Sequence, residues 1–237
     1  MPNRNMKNNL LDNNLMKQRL DNVYSIIGEN RMLVAVSKYH APEDIKLCYG
    51  EGQRQFGESH VQELREKYEI LPKDIEWHFI GHLQTNKVKY IAPYITMIHA
   101  VDSLRLMQEI EKHAAKNNRV IDVLLELHVA QEESKYGFTI EQCRAFLEEG
   151  TWRNLQHVRI CGIMTMASFT DDTSVISEEF ESAYSFYKEV KLKFFNNAPH
   201  FQYRSWGMSD DYHIAIEHGA NVVRVGSYIF GDRVYNK

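Results

Sequence analysis

Eight short apolar runs, separated by stretches of helical periodicity, constrain this chain more than any other feature. The runs are Leu33–Ser37, Gln55–Gly57, Trp77–Ile80, Met97–Val101, Val123–Val129, Ile160–Met166, Phe201–Ser205 and Val222–Val225. Each is dense in Val, Ile, Leu or aromatic residues and too short for a helix. The helical patterns are Pro42–Gly50, His60–Ile70, Ser103–Asn117, Thr139–Glu149, Ser177–Phe195 and Ser209–Glu217. Their ends carry the expected signals: Pro42 in a first turn, Ser103 and Ser209-Asp210-Asp211 as caps, Gly150 as a stop. His60–Ile70 carries Glu and Lys at the spacing of ordinary helix-surface pairs.

Repeated strand–helix alternation means parallel strands joined by crossover helices. Most runs are continuously apolar rather than alternating, as in strands covered on both faces. Eight such units in 237 residues predict an α/β chain folded as a (β/α)8 TIM barrel with little inserted. The competing arrangement is an open doubly wound sheet, but no Gly-x-Gly-x-x-Gly turn follows the first strand. Ahead of that strand, Leu10, Leu11, Leu15, Met16, Val23, Ile26 and Ile27 form an amphipathic helical pattern. Residues 1–31 are therefore expected to pack as an N-terminal helical segment on a single barrel domain, 32–237.

Composition narrows the function classes. With 43% hydrophobic and 25% charged residues the chain reads as ordinary and globular. A net charge of −4 argues against a nucleic-acid platform. No apolar run reaches the roughly 18 residues of a membrane helix. The polar start, Met1 to Asn9, lacks a signal-peptide core. Cys48, Cys143 and Cys161 form no Cys-x-x-Cys pair, so reduced thiols and a cytoplasmic location are expected. His78 and His82 are four apart but flank Gly81 at a strand end, not one helix face, so no metal site is expected.

The chemistry concentrates at strand ends, where barrels of this kind carry their sites. Arg224 lies inside Val222-Val223-Arg224-Val225, and burying a charge there is costly without a partner. Phosphate is often held by the loops after the seventh and eighth strands. Here those loops read Ser205-Trp206-Gly207-Met208-Ser209 and Gly226-Ser227. Small residues there leave backbone N–H groups and hydroxyls for an anion. The plainer reading makes Ser209 a helix cap and Gly226 a turn. Lys38 ends the first strand, which neighbours the eighth in a closed barrel. A lysine beside a second cation has a depressed pKa and condenses readily with an aldehyde. A phosphate cradle beside such an amine suggests pyridoxal 5′-phosphate. Arg224 at the pyridine nitrogen would keep the ring neutral, because an arginine only donates. Pairing of Arg224 with a nearby carboxylate is the alternative. His78 reads equally as a residue pointing into the barrel or as a satisfied core histidine. Met164 and Met166 read first as packing, with one leaning on a cofactor ring as the alternative. Gln84, Asn86 and Lys87 read first as helix capping.

Seven segments occur in order: Val34-Ala35-Val36-Ser37-Lys38; Gln55-Phe56-Gly57-Glu58; Trp77-His78-Phe79-Ile80-Gly81-His82-Leu83-Gln84 with Asn86-Lys87; Ser134-Lys135 with Gly137; Gly162-Ile163-Met164-Thr165-Met166; Gly207-Met208-Ser209 with Asp211; and Val223-Arg224-Val225-Gly226-Ser227 with Ile229-Phe230-Gly231. Together they closely resemble the pyridoxal phosphate homeostasis protein family, single-domain relatives of the alanine racemase N-terminal barrel. The resemblance implies a Schiff base on Lys38 and phosphate contacts from Met208, Ser209, Gly226 and Ser227. It places Arg224 at the pyridine nitrogen, with Ser59, His78, Met166 and Ser205 as further candidates around the cofactor. It implies a protein that carries or buffers pyridoxal phosphate without established turnover. Its partners would be the cofactor and apo-enzymes that need it, and a monomer is expected. Four positions depart from the family pattern: Ser59 stands for Asn, Trp206 for a smaller apolar residue, and Ser227-Tyr228 for Thr-Ala. Two enzyme readings compete, a small amino-acid racemase and a sugar-phosphate lyase working through Lys38.

Overall fold

The computed structural model describes residues 12–130 and 136–231. Leu10, Leu11, Ser134 and Lys135, used above, lie outside the described residues. Eight parallel strands close into a barrel in chain order: β1 (Met32–Val36), β2 (Gln55–Glu58), β3 (Glu76–Phe79), β4 (Met97–Val101), β5 (Ile121–His128), β6 (Val158–Met166), β7 (Tyr203–Ser205) and β8 (Val222–Val225). The seam closes as β1 pairs with β8, Met32 opposite Val222 and Ala35 opposite Val225. This is the predicted TIM barrel, and the open sheet is excluded.

The outer helices are α2 (Pro42–Gly50), α3 (Val61–Ile70), α4 (Val88–Ile91), α5 (Leu104–Lys116), α6 (Ile140–Glu149), α7 (Thr173–Phe194), α8 (Tyr212–Glu217) and α9 (Ser227–Phe230). Side-chain caps fix three of these starts. The Ser103 hydroxyl accepts from Leu106 N–H, and Thr139 with Gln142 forms a reciprocal capping box. Asp172 caps α7 through Ser174 N–H, so that helix starts at Thr173 rather than Ser177. The Ser209 expectation is corrected: α8 starts at Tyr212, and Asp211, not Ser209, precedes it. Gln84 precedes a 3-10 turn, Thr85–Lys87, without a side-chain cap bond, so the capping reading fails there too.

Strand faces divide the interior in two. Leu33, Ala35, Phe56, Trp77, Phe79, Ile98, Leu125, Ile163 and Val223 pack outward against the helices. Burying side chains of this size stabilises by about 1.5–3 kcal/mol each. A smaller cluster, Met97, Ala100, Leu124, Cys161 and Met164, fills the barrel itself, with Met166 and Tyr203 against it. The segment before β1 forms α1 (Asn13–Ile27), which buries Met16, Leu20, Val23 and Ile27. Arg19 of α1 donates to the Ile229 carbonyl at 3.0 Å, which ties α1 to the last helix. All three cysteines are free and buried. Burial pushes the Cys143 and Cys161 thiols up to about 12, so neither is a thiolate at neutral pH. Among the described residues no helix is long and apolar enough to cross a membrane.

Candidate functional site

Every singled-out loop lies at the carboxyl-end face of the barrel. Lys38 is half-buried just past β1. Ser59 is half-buried just past β2, in close contact with Gly81 past β3, where an added Cβ would meet the Ser59 Cβ at 2.8 Å. Arg224 is level with Val34 across the seam, four residues below Lys38. At the rise of a strand that is roughly 13 Å along the wall. The two cations share neighbouring strands but stand at different depths, Arg224 in the barrel and Lys38 at its rim.

The two anion-cradle loops meet. Gly226 N–H donates to the Ser209 hydroxyl at 3.2 Å. Ser209 therefore joins the loops after β7 and β8 instead of capping a helix. Met208 N–H donates to the Asp211 carboxylate at 2.5 Å, which folds the first loop. Among the described residues the amides of Ser209, Asp210, Ser227 and Tyr228 have no protein acceptor. Met208 and Ser227 are exposed, while Gly226 is half-buried against the Val36 carbonyl. Gly207 has φ of +93°, and Arg224 N–H donates to its carbonyl at 3.0 Å.

Arg224 is 3% exposed. Its guanidinium donates to the Ser205 carbonyl at 2.6 Å, the Ser205 hydroxyl at 2.7 Å and the Thr165 carbonyl at 3.0 Å. All three acceptors are neutral, so the carboxylate-pairing alternative is not what the fold adopts. Burial lowers its pKa to about 10, opposed by Asp211 and Glu126, so the group stays charged at neutral pH. Three of five N–H groups are used, which leaves two for a ligand.

A polar relay crosses the barrel from Arg224. His99 Nδ1 lies 3.0 Å from the Ser205 hydroxyl, and His99 Nε2 lies 2.8 Å from His78 Nδ1. Strands β3, β4, β7 and β8 can meet this way only through the lumen, so His78 and Ser205 point into the barrel. Ser205 Oγ accepts from Arg224, which only donates, and keeps its hydrogen and a second lone pair for His99 Nδ1. The relay ends on His78 Nε2, a buried atom with no partner among the described residues. Both rings are neutral at neutral pH. Burial lowers the His78 pKa to about 4 and that of His99 further, where His78 and Arg224 add to the effect.

Glu126 on β5 was not anticipated. It is 4% exposed and its Oε2 has no partner among the described residues. Burial, with Asp102 adding and Arg224 opposing, raises its pKa to about 7. The carboxyl is protonated in both folded and unfolded chains below pH about 4.5, and the folded form resists ionisation from there to about 7. Stability is therefore lost as pH rises through that window, by about 3 kcal/mol once it is complete. The buried neutral histidines act oppositely, costing stability below about pH 6.5. Glu126→Gln removes only the first effect. Denaturant unfolding of both proteins should show the variant gaining on wild type by about 2–3 kcal/mol between pH 5 and pH 8. A pH-independent difference contradicts the assignment.

Two departures from the family pattern turn away from the site. Trp206 is fully buried among the helix-facing residues and its indole N–H donates to the His218 carbonyl at 3.3 Å. Tyr228 is turned to α1, where its hydroxyl accepts from Asn22 at 3.3 Å. Neither narrows the barrel mouth. Met166, half-buried, packs on the lumen cluster.

A closed parallel barrel with a buried, unneutralised arginine beneath two joined small-residue loops defines the class of the alanine racemase N-terminal barrel. The family model described as alanine racemase, N-terminal domain, matches residues 11–234. A pyridoxal phosphate homeostasis protein of Aquifex aeolicus is 40% identical over 210 residues, 88% of this chain and 90% of the relative. That of Homo sapiens is 37% identical over 218 residues, covering 86% and 78%. PipY of Synechococcus elongatus, solved with pyridoxal phosphate bound, superposes with a TM-score of 0.81 at 31% identity over 91% of this chain and all of PipY. Alanine racemase of Bartonella henselae, at 14% identity and a TM-score of 0.69, shares the fold over 94% of this chain and 60% of its own. The chain belongs to the pyridoxal phosphate homeostasis protein family.

Proposed function

We propose that this protein binds pyridoxal 5′-phosphate and carries or buffers it through a Schiff base on Lys38, serving vitamin B6 and amino-acid homeostasis without turnover of its own. The observation that carries this reading is the Ser209–Gly226 junction. It sets two loops with uncommitted amides above a buried cation, on the same barrel face as Lys38. The residues fit the group. The Met208–Ser209 and Gly226–Ser227 loops offer N–H groups and hydroxyls to a phosphate. Arg224 retains two N–H groups for the pyridine nitrogen, with Ser205 holding its fork. His78 offers an orphaned ring nitrogen, and Ser59 and Met166 border the mouth. Pyridoxal phosphate supplies an aldehyde whose carbon forms a C–N bond to a lysine amine while its oxygen leaves as water.

In this reading the described residues from 32 on form one barrel domain, with α1 packed on it. The protein acts as a cytoplasmic monomer that hands its cofactor to apo-enzymes. Titration with pyridoxal phosphate is expected to give a yellow, borohydride-bleachable species. No α-deuterium exchange of free amino acids beyond that caused by the cofactor alone is expected. Arg224→Met should weaken binding about 10–100-fold, the worth of one hydrogen bond to a charged group. A colourless wild type, or rapid α-exchange, overturns the reading.

A further inference from the structure

The segment carrying Lys38 is held by an ion cluster that the helix pattern gave no reason to suspect. Lys67 on α3 is 4% exposed, and Glu58 at the end of β2 is fully buried. The Lys67 ammonium donates to the Ser37 carbonyl at 2.7 Å, to Glu58 Oε1 at 2.8 Å and to Glu63 Oε1 at 2.7 Å. The same two carboxylates reach back to the strap. Glu58 Oε1 accepts from the Ser37 hydroxyl at 2.6 Å, and Glu63 Oε1 accepts from Tyr39 N–H at 2.6 Å. Ser37 N–H adds a bond to the Gly57 carbonyl at 3.0 Å. The residues on both sides of Lys38 are thus tied to one ammonium. The hold also sustains an unfavourable backbone, since Tyr39 has φ of +67°, a conformation a bulky residue seldom adopts.

All three ammonium hydrogens of Lys67 are used, and two of its partners are themselves bonded to the strap. An exposed i,i+4 Glu–Lys pair contributes little and holds nothing. Here the Glu63–Lys67 pair is recruited inward by Glu58, and its cost of burial is offset by ties to backbone that carries the reactive amine.

We propose that Lys67 is a positioning residue for Lys38: through Ser37, Glu58 and Glu63 it fixes the strap so that the Lys38 amine meets the ligand carbonyl in the reactive geometry. The proposal rests on the pyridoxal phosphate reading. A misplacement of about 1 Å costs an oriented reaction on the order of a hundredfold. Loss of Lys67 should therefore slow imine formation while leaving the phosphate and ring contacts of the other loops intact.

The test separates these two events. Covalent capture of pyridoxal phosphate is followed by intact mass after borohydride quenching, at timed intervals. Non-covalent binding is measured with pyridoxine 5′-phosphate, which has no aldehyde. Lys67→Met is expected to slow capture about 10–100-fold, with pyridoxine 5′-phosphate affinity within about twofold of wild type. Lys67→Arg, which keeps the charge and several donors, should recover most of the rate. Glu63→Ala removes the oxygen shared by Tyr39 N–H and Lys67, from a side chain that is part-exposed, and should slow capture about threefold. It supplies the answer if Lys67→Met does not fold. Capture at the wild-type rate in Lys67→Met, or in Glu63→Ala where Lys67→Met does not fold, overturns the proposal. So does a parallel loss of pyridoxine 5′-phosphate binding, which marks a merely structural role. Wild type that binds pyridoxine 5′-phosphate but never forms a covalent adduct refutes the carrier reading instead.

Discussion

Replacement of Lys38 by alanine is expected to abolish covalent capture of pyridoxal phosphate and to leave the barrel folded. Lys38 lies beyond the last paired residue of β1 and is only half-buried. The strap around it is held by the backbones of Ser37 and Tyr39 and the side chain of Ser37, which the substitution does not touch. Stability should change by less than about 1 kcal/mol, as for most substitutions outside a core. The chemistry has no second candidate of this kind among the described residues, because the other lysine near the strap, Lys67, has its three hydrogens committed. Reductive labelling should fall from about one group per chain to under about a tenth, the remainder being slow reaction at surface amines. Non-covalent affinity for pyridoxine 5′-phosphate should persist, since the two loops and Arg224 are unchanged. Full labelling of Lys38→Ala at another lysine would show that the amine has been misassigned.

A large stability effect is expected at Gly207. Its φ of +93° strains any residue with a Cβ, and an added Cβ would stand 2.6 Å from the Ala215 Cβ and 2.8 Å from the Tyr212 Cα. One of those obstacles is backbone, which does not rotate aside. Strain of about 1–3 kcal/mol and overpacking of about 1–3 kcal/mol combine to about 3–5 kcal/mol for Gly207→Ala. That is a large part of the 5–15 kcal/mol typical of a folded domain. The melting temperature should drop by roughly 10 °C or more. The effect reaches the site, because the Gly207 carbonyl accepts the Arg224 N–H and the Ser209 hydroxyl binds the neighbouring loop. Surviving folded protein should therefore bind pyridoxine 5′-phosphate more weakly. A variant that melts with wild type would mean the loop relaxes freely and does not hold the two cradles together.

The barrel was legible because its strands are buried on both faces, so runs such as Met97–Val101 and Val222–Val225 stand out without any periodicity. Ends were less legible where a loop residue imitates a cap. Ser209-Asp210-Asp211 has the composition of a helix start, yet the hydroxyl of Ser209 serves a loop 17 residues away. Phe201 resembles strand sequence but lies before β7, stacked on Phe195 at 4.2 Å in the helix layer.

Within the site, Arg224 was found by one signal, a charge inside an apolar strand. The same signal marks Glu126 within Val123-Leu124-Leu125-Glu126-Leu127 and His99 within Met97-Ile98-His99-Ala100-Val101. The Lys67 cluster carried no such mark. Glu63 and Lys67 have the spacing of a solvated helix pair, and only the approach of Glu58 from β2 takes Lys67 out of water. Sequence spacing reports one element at a time, so a cluster shared by a strand end, a strap and a helix is not visible in it.

The central claim is that Lys38 at the rim and the joined loops above Arg224 hold one molecule of pyridoxal phosphate. The most direct measurement is the intact mass of wild type incubated with the cofactor, with and without borohydride, followed by peptide mapping. The account predicts a stable gain of one phosphopyridoxyl group per chain after reduction, on the peptide containing Lys38. No gain, or a gain spread over several lysines with Lys38 unmodified, would contradict it.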